Sequence, residues 1–146
     1  MKFDALNSKI LKCLQQNARM SNAEIGRQVG ITSPAVSERI KKMEDLGVIE
    51  EYKAIVSPFE MGYQLKAIIT LRAFMGKLKP FLEKVKTYDE VVNCYRITGD
   101  ENIVMEVVLK NNKHLEVFID QLISYGETKT QIVLSRVIKQ KEIKPI

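Results

Sequence analysis

The sequence predicts an α+β protein with a helical N-terminal domain over residues 1–60 and a ferredoxin-like domain over residues 61–146. Apolar residues recur at helical spacing as far as Gly47 and at strand spacing from Gly62 onward. Ser57-Pro58 is a chain breaker between the two patterns. The second half contains strand-like and helix-like stretches in the order β-α-β-β-α-β. A chain of 146 residues is long enough for two small domains, which favours oligomerisation.

The first predicted element is an amphipathic helix over residues 4–16. Its apolar stripe consists of Leu6, Ile10, Cys13 and Leu14. These positions follow the 3.6-residue period of a helix with one buried face.

Two further helices joined by a short turn are the strongest local signal. Ser21 and Glu24 form a predicted capping box that starts a short helix, and Gly30 ends it. Thr32-Ser33-Pro34 caps the next helix, which is expected to end at Gly47. With the preceding helix, this pair indicates a helix-turn-helix unit of three helices. An ordinary helical hairpin in a core is the alternative interpretation.

The last of these helices has one apolar stripe and a polar, largely basic remainder. The stripe consists of Val36, Ile40, Met43 and Leu46. A polar face of this kind fits the major groove of DNA. The residues predicted to contact DNA are Thr32, Ser33, Ser37, Glu38, Arg39, Lys41 and Lys42.

Residues 48–56 are rich in β-forming side chains and end before Ser57-Pro58. They are expected to form an extended wing or a strand that leads out of the domain. The N-terminal domain is therefore predicted to be winged-helix-like.

The net charge of +5 favours anionic partners, but the excess is spread along the chain. Residues 1–63 carry nine Lys/Arg against eight Asp/Glu, and residues 64–146 carry fourteen against ten. The informative charges are local to the helix pair: Arg19, Arg27, Arg39, Lys41 and Lys42 against Glu24 and Glu38. The acidic residues beyond them, which are Glu44, Asp45, Glu50 and Glu51, are expected to face away from phosphate.

The second half is expected to form a sheet with helices on one face. The predicted strands are residues 66–74, 91–97, 103–109 and 130–138, and the predicted helices are residues 78–87 and 114–125. The uncovered sheet face carries aliphatic residues with a few charges, which is typical of a subunit interface. A homodimer formed through this face is therefore expected.

The sequence gives little support for an enzyme. It has no Gly-rich phosphate loop, nucleophile elbow or metal-spaced cluster, so no cofactor or metal site is predicted. Cys13 and Cys94 are expected to be free thiols, and His114 to be a polar residue at the start of a helix. No signal-peptide-like start and no apolar stretch of membrane-spanning length is visible, so a cytoplasmic protein without a membrane partner is expected.

Several motifs occur in the order found in the Lrp/AsnC family, the feast/famine transcriptional regulators, and the sequence resembles that family over nearly its whole length. The matching stretches are residues 6–21 for the opening helix and its turn, residues 25–31 and 37–46 for the helix pair, Gly47-Val48-Ile49 with Tyr52 and Met61-Gly62 for the connection, and residues 95–100 with Thr128 and Thr130 for the effector domain. Ser37-Glu38-Arg39 and residues 94–97 also resemble the small LrpC-like members.

The resemblance implies an N-terminal domain that binds double-stranded DNA and a C-terminal domain that dimerises and binds a small effector, commonly an amino acid. It also implies that dimers assemble further into tetramers or octamers. The effector contacts that it assigns are Gly99, Asp100, Asn102, Thr128 and Thr130. Asn102 stands where the family usually has Asp, so a carboxylate for an effector's ammonium group is lost and weak or altered selectivity is expected.

The sequence thus predicts a sequence-specific transcriptional regulator that responds to a small effector such as an amino acid. Residues 99–102 also make a good hairpin turn, and threonines alternate naturally on strands, so the effector site has a plain structural alternative. Two other functions stay open. One is an effector-independent architectural DNA-binding protein, and the other is an amino-acid-sensing regulatory subunit of a metabolic enzyme.

Overall fold

The computed structural model describes residues 4–146, which fall into two compact units. The helical unit comprises the chain up to Ala54 together with Ile138–Ile146, and the sheet unit comprises Ile55–Val137. The structure divides the chain after Ala54 and again after Val137, whereas the predicted boundary lies between residues 60 and 61. Residues 1–3, which begin the predicted N-terminal domain, lie outside the described residues.

The helical unit contains three helices, each started by a side-chain cap. Their bounds are α1 (Ala5–Gln16), α2 (Asn22–Val29) and α3 (Ser33–Asp45). Side-chain oxygens of Asp4, Ser21 and Thr32 accept backbone N–H groups in the first turn of the respective helices. The capping box of Ser21 and Glu24 is confirmed. The chain then leaves α2 through Gly30 at φ +79°, the left-handed conformation that glycine adopts without strain.

The three helices pack around one small apolar core. Its buried members are Ile10, Cys13, Ile25, Val29, Val36 and Met43. Ile40 and Ile49 pack against this core, but Leu46 is 54% exposed. The prediction that Leu46 continues the buried stripe is therefore wrong, because α3 ends at Asp45 and Leu46 lies beyond the last helical turn.

Residues 48–56 do not form the predicted wing or strand. Ile49 packs on the helical core, and the Tyr52 hydroxyl donates a hydrogen bond of 2.9 Å to Glu44. No strand pairs with this segment among the described residues. A β-forming composition does not produce a strand where no neighbour satisfies its backbone groups.

The sheet unit has the predicted βαββαβ order. Its elements are β1 (Leu65–Ala73), α4 (Leu78–Lys84), β2 (Val91–Arg96), β3 (Ile103–Leu109), α5 (Asn112–Leu122) and β4 (Gly126–Ile132), with a short 3₁₀ turn over Val85–Thr87. The four strands lie in the order β2-β3-β1-β4, and every neighbouring pair is antiparallel. β4 lies earlier in the chain than the predicted residues 130–138, because it is the segment that pairs with β1.

Alternate residues of each strand separate the core from the open face. The core side includes Ile69 and Leu71 of β1 and Met105 of β3, which are fully buried beneath Phe81 and Phe118 of the two helices. On the opposite side, Lys66 forms an ion pair of 3.0 Å with Glu106. Tyr95 of β2 is 53% exposed on that same side. In β2 the alternation is interrupted by a register shift between Val91 and Asn93.

Two glycines are required by close backbone approach. A Cβ atom at Gly26 of α2 would lie 2.5 Å from the carbonyl oxygen of Ile31, where the chain turns into α3. A Cβ atom at Gly126 would lie 2.3 Å from the carbonyl oxygen of Arg72, at the start of β4. Contacts this short with backbone atoms force the backbone apart.

We expect Gly26→Ala to destabilise the helical unit by about 1–3 kcal/mol, because the added methyl group overpacks the turn between α2 and α3. Helix propensity alone predicts the reverse, a gain of about 1 kcal/mol. Ala23→Gly, at an exposed position of the same helix, is the matched control and should lose about 1 kcal/mol through propensity. Chemical denaturation of the full chain measures both. Stabilisation by Gly26→Ala would contradict the close approach.

Candidate nucleic-acid interface and effector cleft

The side chains predicted to contact DNA do not all lie on one face of α3. Ser37, Glu38, Lys41 and Lys42 are exposed, whereas Ser33 and Arg39 are half-buried. Thr32 is exposed, but its hydroxyl oxygen caps α3 by accepting the Ala35 N–H at 3.4 Å. The exposed set that α3 presents is therefore smaller than the predicted set.

Arg39 lies on the side of α3 that faces α1. Its guanidinium donates hydrogen bonds of 2.6 Å to the Asp4 carboxylate and 2.9 Å to the side-chain oxygen of Asn7. The Asn7 N–H, and after it Arg39, hold the pKa of Asp4 below its usual value. Asn7 is only 4% exposed, so Arg39 also satisfies a buried amide. Both bonds are donated by Nη1, so they fix the direction of the guanidinium and engage one of its three nitrogens.

A cleft of about 560 Å³ runs along the other side of α3. It is lined by Leu14, Ala18, Met20, Asn22, Ser37, Ile40, Lys41, Glu44, Asp45 and Tyr52. Ser37, Lys41 and Glu44 are one helical turn apart and share this face. Glu44 and Asp45 thus line the same cleft as Ser37 and Lys41, and their orientation away from phosphate stays a prediction.

Tyr52 closes one end of this cleft through its hydrogen bond to Glu44. Burial, and then the neighbouring Glu44, raise the pKa of Tyr52 to about 12. The phenol therefore remains protonated at neutral pH and keeps donating to Glu44. This bond fixes the Glu44 carboxylate within the lining of the cleft.

The sheet unit contains a second, smaller cleft of about 250 Å³ near the β2–β3 connection. It is lined by Arg72, Asp100, Glu101, Glu127, Thr128 and Lys129. Only Asp100 and Thr128 of the five predicted effector contacts lie in this lining. Arg72, Glu101, Glu127 and Lys129 were not predicted from the sequence, because only the register of β4 against β1 brings Arg72 opposite Glu127.

Charged side chains in the small cleft alternate in sign. Arg72 pairs with Glu127 at 2.5 Å, and Lys129 pairs with Glu101 at 2.6 Å. The hydrogen bond from Lys129 holds the pKa of Glu101 below its usual value, and the bond to Glu101 raises the pKa of Lys129. Asp100 forms no ion pair with any described residue. Donor cations and acceptor carboxylates thus stand side by side, as a zwitterionic ligand requires.

Asn102 holds the β2–β3 connection against β1. Its side-chain oxygen accepts the Ala73 N–H at 2.7 Å, and its backbone N–H donates to the Leu71 carbonyl at 2.9 Å. This role needs only an acceptor oxygen, which Asn supplies as well as Asp does. The expectation that Asn102 costs the effector a ligand therefore does not follow from the geometry.

The remaining predicted effector contacts have backbone or core-side positions. Gly99 adopts φ +115°, a turn conformation that residues with a side chain rarely adopt. Thr130 stands opposite Ile69 in the β4–β1 register and therefore lies on the helix side of the sheet. Neither residue is in the lining of the small cleft.

Residues 4–146 contain neither a cluster suited to a metal ion nor a helix suited to a membrane. Within that range, no three His, Cys, Asp or Glu side chains are grouped so that they could hold a metal ion. Nor does that part of the chain include a helix that is long and apolar enough to cross a membrane. Cys13 is a buried free thiol and Cys94 a half-buried one, and burial raises the pKa of Cys94.

Comparison with known families assigns both halves of the chain. Residues 3–50 match the family described as winged helix-turn-helix DNA-binding, and residues 66–143 match the Lrp/AsnC ligand binding domain. The chain is 33% identical over 135 residues to the HTH-type transcriptional regulator FL11 of Pyrococcus furiosus, which covers 90% of this chain and 89% of the relative.

Solved structures of similar proteins share the whole fold. Escherichia coli AsnC is 31% identical with a TM-score of 0.87, over 99% of this chain and 100% of that one. Bacillus subtilis LrpC is 25% identical with a TM-score of 0.90, over 96% of this chain and 100% of that one. The similarity therefore extends over both units.

Proposed function

The chain belongs to the Lrp/AsnC family of transcriptional regulators, and we propose that it binds double-stranded DNA through the exposed side of α3 and responds to a small zwitterionic effector. The observation that carries the DNA-binding proposal is the capped helix pair, in which α2 is locked by its capping box and α3 presents Ser37, Lys41 and Lys42 to solvent. A rigid helix with exposed donors is the element that enters a major groove.

The donors of α3 divide into two roles. Hydroxyl and ammonium groups at Ser37 and Lys41 bond to phosphates or base edges, and Lys42 supplies a further phosphate contact. Arg39 positions α3 by fixing it to α1 through Asp4 and Asn7. Arg39 therefore acts on DNA binding through the placement of the helix.

We expect the variant Lys41→Gln with Lys42→Gln to reduce the salt dependence of DNA binding. The slope of log K against log salt should fall by about 0.9 for each lysine that meets a phosphate. Fluorescence anisotropy on the DNA upstream of the protein's own gene, titrated with salt, measures the slope. Lys77→Gln with Lys79→Gln, at exposed positions of the sheet unit, makes the same change in charge and should leave the slope unaltered. Equal slopes for all three proteins would contradict the assignment to α3.

We further propose that the open face of the sheet forms a homodimer. Lys66 and Glu106 on this face neutralise each other within one chain, so the face can be covered without burying an unpaired charge. Apolar residues such as Ile68, Val104 and Tyr95 surround the pair. In a two-fold dimer, the two α3 helices meet DNA about 34–36 Å apart, or at a multiple of that distance, and the operator is pseudo-palindromic. Association of such dimers into tetramers or octamers belongs to the same proposal.

Tyr95→Glu should convert the dimer into monomers, because it places an uncompensated charge on the open face proposed as the interface. Light scattering at micromolar concentration gives the mass. Ile123→Glu adds the same charge at an equally exposed apolar position that follows α5, and it should leave the dimer intact. A wild-type protein that is monomeric yet binds DNA fully would contradict the dimer.

The effector proposal rests on the alternating charges of the small cleft. Of the three carboxylates that line this cleft, Glu101 and Glu127 form ion pairs and Asp100 forms none with the described residues, so Asp100 is available to an ammonium group. A ligand carboxylate would be met by Arg72 or Lys129, which exchange a protein carboxylate for that of the ligand. An amino acid carries both groups at the spacing of a few ångströms that the cleft accommodates.

We expect at least one of the twenty common amino acids to bind in calorimetry, and Asp100→Asn to weaken that binding about tenfold or more, the usual cost of losing a charged hydrogen-bond partner. Asp120→Asn, an exposed acid on α5, removes the same charge away from the cleft and should bind normally. Unchanged binding by Asp100→Asn would contradict the site. No binding by any amino acid would favour the effector-independent architectural protein.

A further inference from the structure

Residues 138–146 dock on α1 through a pair of glutamine side chains. The Gln15 amide nitrogen donates to the Ile143 carbonyl at 3.0 Å, and the Gln15 oxygen accepts the Ile143 N–H at 2.8 Å. The neighbouring Gln16 amide donates to the Glu142 carboxylate at 2.6 Å. Gln15 thus pairs with both the backbone N–H and the backbone C=O of Ile143, as the opposite residue of an antiparallel strand would, which fixes the register of the segment on the helix.

The docked segment, which we call the C-terminal arm, presents its positive charges outward. Glu142 is its one acidic residue, and it is half-buried against α1. Lys139, Lys141 and Lys144 are all exposed. Docking therefore turns the acid toward the helix and leaves three ammonium groups facing solvent.

The helical unit has little positive charge without the arm. Residues 4–54 carry eight Lys/Arg against seven Asp/Glu. Arg39 is neutralised by Asp4, and Glu44 and Asp45 share the cleft with Lys41. Phosphate neutralisation supplies most of the affinity of a DNA-binding protein, so a nearly neutral unit is a poor DNA ligand. The arm adds three lysines against one glutamate.

We propose that the C-terminal arm is a DNA-contacting element, held on α1 by Gln15 and Gln16, whose lysines bind the phosphate backbone beside the bases reached by α3. The inference rests on the proposed DNA binding by the helical unit and adds a second contact region to it. The arm carries no base-reading geometry, so its contribution is independent of DNA sequence. Basic terminal segments are suited to this task because ammonium groups on flexible stems adapt to many phosphate positions.

The test compares four variants of the full-length chain on a duplex of random sequence. The neutral arm carries Lys139→Gln, Lys141→Gln and Lys144→Gln, and the undocked arm carries Gln15→Ala and Gln16→Ala. A third variant combines both sets. The control carries Lys77→Gln, Lys79→Gln and Lys110→Gln, which remove the same charge from exposed positions of the sheet unit. Alanine is a strong helix former, so the undocking changes leave α1 intact.

The neutral arm should lower the slope of log K against log salt by about 0.9 for each lysine that meets a phosphate, and the control should not. The undocked arm should also lower the slope. The slope of the combined variant should be no lower than that of the neutral arm, because undocking acts only through the lysines. Thermal melting of each variant separates loss of contacts from loss of fold.

Three results would overturn the inference. An unchanged slope for the neutral arm would leave the arm a purely structural connection. An equal fall in the slope for the control would mean that the effect comes from the net charge of the protein and not from the arm. Additive losses in the combined variant would mean that Gln15 and Gln16 act on DNA by another route. If the wild type itself shows no salt-dependent binding, the DNA-binding proposal fails first, and that result is distinct from the other three.

Discussion

The position of β1 between β3 and β4 determines where the charged side chains of the sheet unit lie. Its register with β3 places Ile68 opposite Glu106, which lets Lys66 reach that carboxylate across the open face. Its register with β4 places Arg72 opposite Glu127. A shift of one residue in either pairing would exchange the two faces of a strand, so the apolar core and the charged cleft are specified together. Asn102 reinforces this arrangement, because it hydrogen-bonds to the end of β1 through both its side chain and its backbone.

The elements that follow from local chemistry were predictable, and those that depend on long-range pairing were not. The capping box at Ser21 and the left-handed Gly30 are decided by neighbouring residues, so the sequence predicts them. β4 was placed too late because residues 130–138 alternate as well as residues 126–132 do, and only pairing with β1 distinguishes them. The predicted wing failed for the same reason, since its composition favours a strand but no partner strand is available.

Site prediction shows the same limit at the level of single side chains. Arg39 carries the residue type and the helix position of a base-reading group, yet Asp4 and Asn7 of another element engage it. Asn102 matches an effector motif, yet its oxygen satisfies a backbone N–H. In both cases the side chain forms a hydrogen bond with another polar group of the protein, because unsatisfied polar groups in folded proteins are costly. These hydrogen bonds within the protein cannot be predicted from the sequence, because they depend on which residues the fold brings into contact.

The change in DNA affinity that an effector can cause has a thermodynamic limit. An effector alters DNA binding only to the extent that it binds one arrangement of the molecule more tightly than another. β4 contributes Glu127, Thr128 and Lys129 to the small cleft, and the same stretch of chain continues into the C-terminal arm on α1. A ligand that replaces the Arg72–Glu127 or Lys129–Glu101 pair changes the restraints on β4 itself. The chain therefore joins the two units at a second place besides the connection after Ala54, and this second connection begins at the strand that would hold the effector. The coupling free energy is then limited by the difference in ligand affinity between the two arrangements that the ligand distinguishes.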